Sequence, residues 1–363
     1  MQFDVVVAGA GIIGSSIAWR LAQVGMRVIL LDAGRMGGEA SSAGAGMLAP
    51  GGEIAERSAW SDFALESLRL YPDFVAELES ESGLKIDFQR EGAVEVALSA
   101  AECDPMLARS RAQEALGIRS SRLPLPDLRK LIPLACPDVA AAWFYPDDAV
   151  VDPRDIMAAL RSACERRHAT IAEGTRVEKI QAEGRSALVF TDAGTFQTPA
   201  AVLAAGAWSS QIPVEGTILP ESFPVRGHLI GFHLEPGSLG PIVRHGHMYL
   251  LQRASGFTIA GTSSEEVGFN RTLDAGIVED IHSRTAALIP ALAKRKSDEH
   301  WLGFRPGIAS GGPALGRAEE TALWLAYGHY RNGILLAPAT AARIAAGITA
   351  SSGRGSSAPT GRR

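Results

Sequence analysis

The stretch Val5-Val6-Val7-Ala8-Gly9-Ala10-Gly11-Ile12-Ile13-Gly14 decides the fold. Residues 3–8 are a short apolar run of β-branched character, and a GxGxxG string follows them without a gap. Ile13, Ile17, Leu21 and Val24 then recur at helical spacing, and residues 27–32 form a second apolar run ending in Asp32. Strand, helix and strand in that order need a crossover, which predicts a parallel sheet. Each piece of the string has a mechanical purpose. Gly9 allows a tight turn, Gly11 lets backbone approach a pyrophosphate, and Gly14 lets helix pack on strand. The helix start offers amide donors and partial positive charge to a diphosphate. Asp32 lies 18 residues past Gly14 and can accept from both hydroxyls of an adenine ribose. This motif alone fits FAD and NAD equally.

Composition bounds the rest. With 363 residues, 46% of them hydrophobic, the chain can bury the cores of two ordinary domains or one interrupted domain. A formal charge of −5 argues against a dedicated nucleic-acid or anionic-membrane partner. No twenty-residue uninterrupted apolar run is present, so no membrane span is expected. The start, Met1-Gln2-Phe3-Asp4, enters the first strand at once and has no signal-peptide character. Cys103, Cys136 and Cys164 are odd in number and widely spaced. They predict reduced thiols, a cytoplasmic protein and no metal centre.

Farther along, an amphipathic helical stretch follows the Gly/Ala/Ser-rich loop 33–52 and is expected to break or restart at Pro72. Residues 84–146 have mixed texture, with strands at 92–98 and 141–145. Asp152-Pro153 opens a helix cleanly. Strands are predicted at 175–181, 186–191, 200–205, 223–234, 248–252, 257–262 and 323–327, a helix near 275–289, and a final helix starting at Pro338. The predicted fold class is α/β, a Rossmann-like cofactor domain interrupted by an α+β substrate domain with an antiparallel sheet. The expected division is 1–80, 147–213 and 302–350 for the first, 81–146 and 214–301 for the second, and a disordered tail over 351–363.

The segment Met36-Gly37-Gly38-Glu39-Ala40-Ser41-Ser42-Ala43-Gly44-Ala45-Gly46-Met47-Leu48 favours FAD. Small residues there let backbone lie against a large flat ring, with Ser41 or Ser42 in reach of phosphate, and a solvated linker would not end in Met47-Leu48. That segment, Val202–Ser209, Gly303-Phe304-Arg305-Pro306-Gly307 and above all Gly328-His329-Tyr330-Arg331-Asn332-Gly333-Ile334-Leu335-Leu336-Ala337-Pro338-Ala339-Thr340 resemble the D-amino-acid oxidase superfamily of flavoproteins. Within it they are most similar to the glycine-oxidising branch of thiamine biosynthesis, in order from residue 3 to about 348.

The resemblance implies non-covalent FAD, oxidation of an amine next to a carboxylate, and hydrogen peroxide as a product of molecular oxygen. By position it implies FAD contacts at Ile12, Ile13, Asp32, Ala33, Ser41, Ala45, Gly46, Met47 and Val177, beside the glycines Gly9, Gly11, Gly14 and Gly206. His329, Tyr330, Arg331, Asn332, Gly333, Ile334 and Leu335 would wrap the flavin. Arg305 matches a carboxylate-binding arginine, Arg331 a second arginine near flavin and substrate, and Tyr249 a tyrosine over the substrate. Self-association is common in such proteins, but no heptad or apolar stripe establishes a homo-oligomer here.

The chemistry wants these residue types independently. A planar, permanently charged arginine grips a carboxylate in a bidentate way that lysine cannot. Arg305, before Pro306-Gly307, is expected where a strand ends and a side chain projects into a cleft. A cation beside a helix start, as at Arg331, would stabilise negative charge developing on a reduced flavin. Tyr249 alternates within His247–Leu251 and points inward or packs in the core; His247 reads as structural. Hydride transfer from the α-carbon needs orientation more than acid–base machinery. Ser264 is expected in the substrate wall, where a larger apolar residue can occur, and leaves glycine, sarcosine and small D-amino acids open as substrates. Competing readings are a dehydrogenase passing electrons to a quinone or protein, a non-catalytic FAD-binding subunit, and an NAD-dependent dehydrogenase.

Overall fold

A computed structural model of the chain describes residues 2–353. Its centre is β1 (Val5–Ala8), buried along its whole length, as a strand covered on both faces must be. It pairs in parallel with β2 (Val28–Asp32) on one side and Ala200–Leu203 on the other, Val5 lying opposite Val28 and Ala200. Leu323–Tyr327 and Thr170–Glu173 extend this sheet in parallel, and Ala314–Arg317 closes one edge antiparallel, giving six strands. Between β1 and β2 runs α1 (Ile12–Gln23). A Cβ on Gly14 would lie 3.1 Å from Cγ1 of Val7 and 3.2 Å from the carbonyl carbon of Gly9, so helix and strand meet this closely only through glycine. The strands predicted at 175–181 and 186–191 are present as Val177–Glu183 and Ser186–Thr191, and an unpredicted third, Gly194–Thr198, completes a β-meander.

The helix α2 (Ala59–Ser82) starts on a capping box between Ser58 and Ser61 and stops at left-handed Gly83. It runs unbroken through Pro72, contrary to the expected restart. Two further helices, Ala100–Glu114 and Leu125–Leu131, occupy the stretch whose pattern was mixed. The first buries only Met106 and Gln113, too few positions to write a helical period. The loop expected over 33–52 contains a short helix, Ala40–Ala43, and a strand, Met47–Leu48. Asp152 caps the Pro153–Arg166 helix as predicted, its side chain accepting from the Arg154 amide at 2.8 Å.

The second sheet has eight strands. Its long members are β3 (Ser222–His233) and β4 (Glu299–Ile308), paired antiparallel from Ser222 opposite Ile308 to Gly231 opposite Glu299. The sheet is antiparallel apart from one parallel pairing, Ile242–His245 with Ala93–Ala97. Arg305 therefore does not end a strand. Pro306 and Gly307 continue β4, and because β4 is an edge strand the missing amide of Pro306 costs no ladder bond.

The final helix, α3 (Gly333–Ser351), begins five residues before Pro338. Proline cannot bond the carbonyl one turn back. Here that carbonyl, on Ile334, accepts from the Tyr71 hydroxyl at 3.0 Å. Ser67 Oγ donates to the Leu335 carbonyl at 2.7 Å and accepts from the Ala339 amide at 3.2 Å. Two side chains of α2 thus carry the helix across its proline. Tyr330–Ser351 is 22 residues long and apolar enough to cross a membrane by length and composition alone, but Arg331, Asn332 and Arg343 interrupt it, so it is not an uninterrupted apolar run. In this fold α3 is a core helix packed on α1 and α2, with Leu335, Leu336, Ala337 and Ile344 at most 1% exposed. Ser351 belongs to α3, so the expected disorder does not begin there, and residues 354–363 of that expected tail lie outside the described residues.

Candidate cofactor and substrate site

One cavity of about 900 Å³ is lined from both large sheets. At one end it touches Gly9, Gly11, Ile12, Ile13, Asp32, Ala33, Ser41, Ala45, Gly46, Met47, Val177 and Gly206, all expected there. Gly9 has φ +105°, and a Cβ on it would lie 2.7 Å from the carbonyl carbon of Ala204. Gly46, at φ +80°, similarly leaves no room beside Pro153. The N-cap of α1 is Gly11, which brings no side chain to satisfy the first amides. Ser41 Oγ accepts from one of them, Ile12 N–H, at 2.9 Å. Of the two candidate serines it is Ser41 that lines the cavity; Ser42 Oγ turns away and donates to the Gly37 carbonyl at 2.6 Å. Asp32 accepts from the Ala10 and Gly34 amides at 2.9 and 2.8 Å, which fixes its carboxylate at the end of β2. A cavity of this volume with helix-start amides in its lining, that of Ile12 answered by Ser41 Oγ, and several glycines in its walls fits a dinucleotide carrying a flat ring. Gly14 belongs to the packing of α1 on β1 rather than to the lining.

The other end gathers Arg305, Tyr249 and Arg331. Register explains the first two. Leu229 on β3 lies opposite Gly261, which lies opposite Tyr249, and Val225 lies opposite Arg305. These positions share one face of the sheet, the face toward the cavity. Arg305 Nη2 donates to Thr262 Oγ1 at 2.7 Å and Nη1 to the Ser263 carbonyl at 3.1 Å. Its hydrogen bonds go to neutral oxygens, with no carboxylate bonded to it among the described residues. Burial presses its pKa downward, yet a guanidinium stays protonated. Burial raises the pKa of the Tyr249 hydroxyl, so it remains a donor.

His329, Tyr330, Arg331, Asn332, Gly333 and Ile334 line the cavity; Leu335 does not, because it is turned into the core of α3. His329 is buried, its Nε2 is 3.1 Å from Thr340 Oγ1, and desolvation lowers its pKa to about 3. Arg331 pairs with Glu53 at 3.1 Å, and Asn332 Nδ2 donates to the same carboxylate at 2.9 Å. The helix whose start faces Arg331 begins at Gly333 and not near Pro338. Ser264 is exposed, 3.4 Å from the Tyr330 hydroxyl, so Thr262 takes the wall position expected of it.

Glu53, Thr262 and Gly227 also reach the cavity and were not singled out from sequence. Glu53 follows the small-residue segment closely, but nothing in its spacing marks it as the partner of Arg331. Among the described residues no group of three or more His, Cys, Asp or Glu side chains could hold a metal.

Known proteins resemble this chain over nearly its whole length. Residues 4–347 match the sequence pattern of the FAD dependent oxidoreductase (DAO) family. Glycine oxidase of Bacillus subtilis (strain 168) is 33% identical over 345 residues, covering 94% of this chain and 92% of the relative. The crystal structure of glycine oxidase from Geobacillus kaustophilus superposes with a TM-score of 0.90 at 30% identity, covering 96% of this chain and 95% of that one. Iminodiacetate oxidase from Chelativorans sp. BNC1 gives a TM-score of 0.87 at 26% identity, with 95% of each chain covered.

Proposed function

The chain belongs to the FAD dependent oxidoreductase family, and on that premise we propose that it oxidises glycine and other small amino acids such as sarcosine and small D-amino acids. The balanced reaction for glycine consumes oxygen and water and yields glyoxylate, ammonia and hydrogen peroxide. The observation that carries this reading is Arg305, a half-buried guanidinium without a carboxylate partner among the described residues, facing the same cavity as the dinucleotide fingerprint.

FAD, when bound, supplies the hydride acceptor and its reoxidation by oxygen. Everything else falls to the chain. The amides of Gly11–Ile13 and Ser41 would hold the diphosphate, Asp32 the ribose, and Gly44–Met47 with His329–Ile334 the ring. Arg305 would take the substrate carboxylate as a bidentate partner while Tyr249 donates a hydrogen bond to it. That grip turns the α-carbon hydrogen toward the ring, and orientation supplies most of the acceleration. Arg331, steadied by Glu53, would stabilise negative charge developing beside it. His329 stays neutral above its pKa of about 3 and adds no competing charge.

We read the six-stranded sheet with its helices as the cofactor domain and the eight-stranded sheet as the substrate domain; β4 runs unbroken through the boundary expected at 302, so the ranges become 1–80, 147–213 and 309–350 for the first and 81–146 and 214–308 for the second. Three free cysteines fit a reducing cytoplasm, and the branch it resembles assigns it to thiazole formation in thiamine supply. The test is direct. The purified yellow protein is mixed with glycine, sarcosine or D-alanine without oxygen and then with it, following the flavin spectrum and peroxide. Anaerobic bleaching followed by stoichiometric peroxide is expected. A flavin that no amino acid bleaches, or that bleaches but yields no peroxide, overturns the oxidase.

A further inference from the structure

Arg305 rests mainly on one short piece of chain, beside a longer bond from Nη1 to the Arg226 carbonyl of β3 at 3.4 Å. Its guanidinium donates to the Ser263 carbonyl and the Thr262 hydroxyl, and that hydroxyl donates onward to the His228 carbonyl at 2.9 Å. Thr262 and Ser263 begin a strap, residues 262–274, that joins strand Phe257–Gly261 to helix Ala275–Leu288 without helix or strand of its own. Its one backbone tie to β3 is the exchange of amide bonds between Arg226 and Glu265, at 2.8 and 3.0 Å.

Both ends of the strap meet at one side chain. His228 is fully buried. At the near end its Nδ1 lies 3.0 Å from Ser263 Oγ and 3.0 Å from Glu265 Oε1. At the far end its Nε2 accepts the Asp274 amide at 3.1 Å. A backbone N–H can be given only to a bare ring nitrogen, so the imidazole proton sits on Nδ1 and points at Ser263 and Glu265. Ser263 Oγ also accepts from the His228 amide at 2.9 Å and donates to Glu265 Oε1 at 2.9 Å. Glu265 pairs with Arg226, whose guanidinium reaches the Asn270 and Thr272 carbonyls at 3.2 and 3.0 Å. Side chains alternate along β3, which puts His228 and Arg226 on the face away from the cavity. His228 therefore acts on the site only through the strap.

We propose that His228 is a positioning residue for substrate binding: by pinning both ends of the 262–274 strap it fixes the two oxygens that aim Arg305. The inference rests on the reading of Arg305 as the carboxylate ligand. Without the peg, Arg305 keeps its charge but loses its set direction, and every bound carboxylate must order it again. Ground state and transition state suffer alike, so KM rises while kcat holds.

The experiment uses the FAD-loaded enzyme, acetate as a carboxylate probe read by perturbation of the flavin spectrum, and glycine kinetics. His228→Phe is expected to weaken acetate binding ~10-fold and to raise KM for glycine in parallel, with kcat changed less than ~3-fold. His228→Asn, whose amide N–H can replace the Nδ1 donor, should recover part of the loss. In an Arg305→Lys background, where the fork is gone, His228→Phe should cost less than about twofold, an interaction that plain loss of stability would not produce. Should the phenylalanine variant fail to fold, Ser263→Ala removes the same link while keeping the carbonyl, and the same weakening is expected. Acetate affinity within about twofold of the parent in the folded His228→Phe or Ser263→Ala enzyme overturns the proposal, as does full additivity with Arg305→Lys. Unchanged acetate binding in Arg305→Ala instead overturns the carboxylate reading, and this inference falls with it.

Discussion

Gly227 on β3 lies directly beneath the guanidinium of Arg305 on β4: a Cβ there would stand 2.5 Å from both Cζ and Nη1. Arg305 pairs with Val225 and reaches diagonally across its neighbour two residues on, so the slot at Gly227 decides where the charge ends up. Gly227 has no left-handed φ, and alanine there suits the backbone. Overpacking of this kind costs about 1–3 kcal/mol. Gly227→Ala is expected to raise KM for glycine ~10-fold or more while the flavin spectrum without ligand stays as in the parent. Steady-state kinetics check it, and an unchanged KM would show that Arg305 has another way out.

Glu53 holds both Arg331 and Asn332, and its pair with Arg331 is only partly exposed, 23% and 30% at the side chains. Partly screened pairs are worth around 1 kcal/mol. Glu53→Gln should lower kcat/KM by roughly 3–10-fold, with less effect at high salt. Arg331→Ala should cost more. Kinetics across an ionic-strength series separate the two.

Arg271, on the strap, pairs with Glu39 at 2.6 Å, and both side chains are about half exposed and line the cavity. The strap also stacks Phe269 on Trp208, ring centroids 4.7 Å apart. An exposed pair contributes little, under ~1 kcal/mol. Arg271→Ala should loosen FAD by less than ~5-fold, and the difference should vanish at high salt. Fluorescence titration of the stripped protein with FAD measures this.

The tie between α2 and α3 can be tested apart from catalysis. Tyr71→Phe leaves the Ile334 carbonyl buried without its donor, a loss of about 1–3 kcal/mol. Urea unfolding should register that loss. Glycine kinetics at a temperature well below unfolding should not change.

His329 sets a pH dependence whose sign is fixed. Burial lowers its pKa from 6.5 to about 3, so between these values the unfolded chain binds a proton that the folded one refuses. Stability is fully present above pH 6.5 and falls as the pH drops toward 3, by at most about 1.4 kcal/mol per pH unit from this group. His329→Gln should flatten that part of the stability–pH curve, measured by denaturant midpoints across the range.

The cofactor end was legible because its reasons are local. Gly9, Gly11, Gly14 and Asp32 serve a turn, a helix start and a strand end within one strand–helix–strand unit, and order along the chain is enough to see them. The substrate end is built by register between distant strands. Gly227 matters through Arg305, 78 residues away, and Glu53 through Arg331; no period or spacing encodes such pairings. Prolines misled for a related reason. Pro72 and Pro338 read as helix boundaries, yet the partners that satisfy the carbonyl behind Pro338 come from α2, and the tolerance of β4 for Pro306 comes from its place at the sheet edge.

The cavity wall is closed by residues from opposite ends of the coding order, Gly9–Ile13 against His329–Ile334. On a ribosome adding 5–20 residues per second, the glycine turn waits roughly 16–64 s for the segment that faces it. Through that interval α1 has no α3 to cover it, and the nascent chain carries an unshielded apolar flank. A wall that needs both segments is complete only once α3 has been made, so late closure of the cavity is a property of the topology itself.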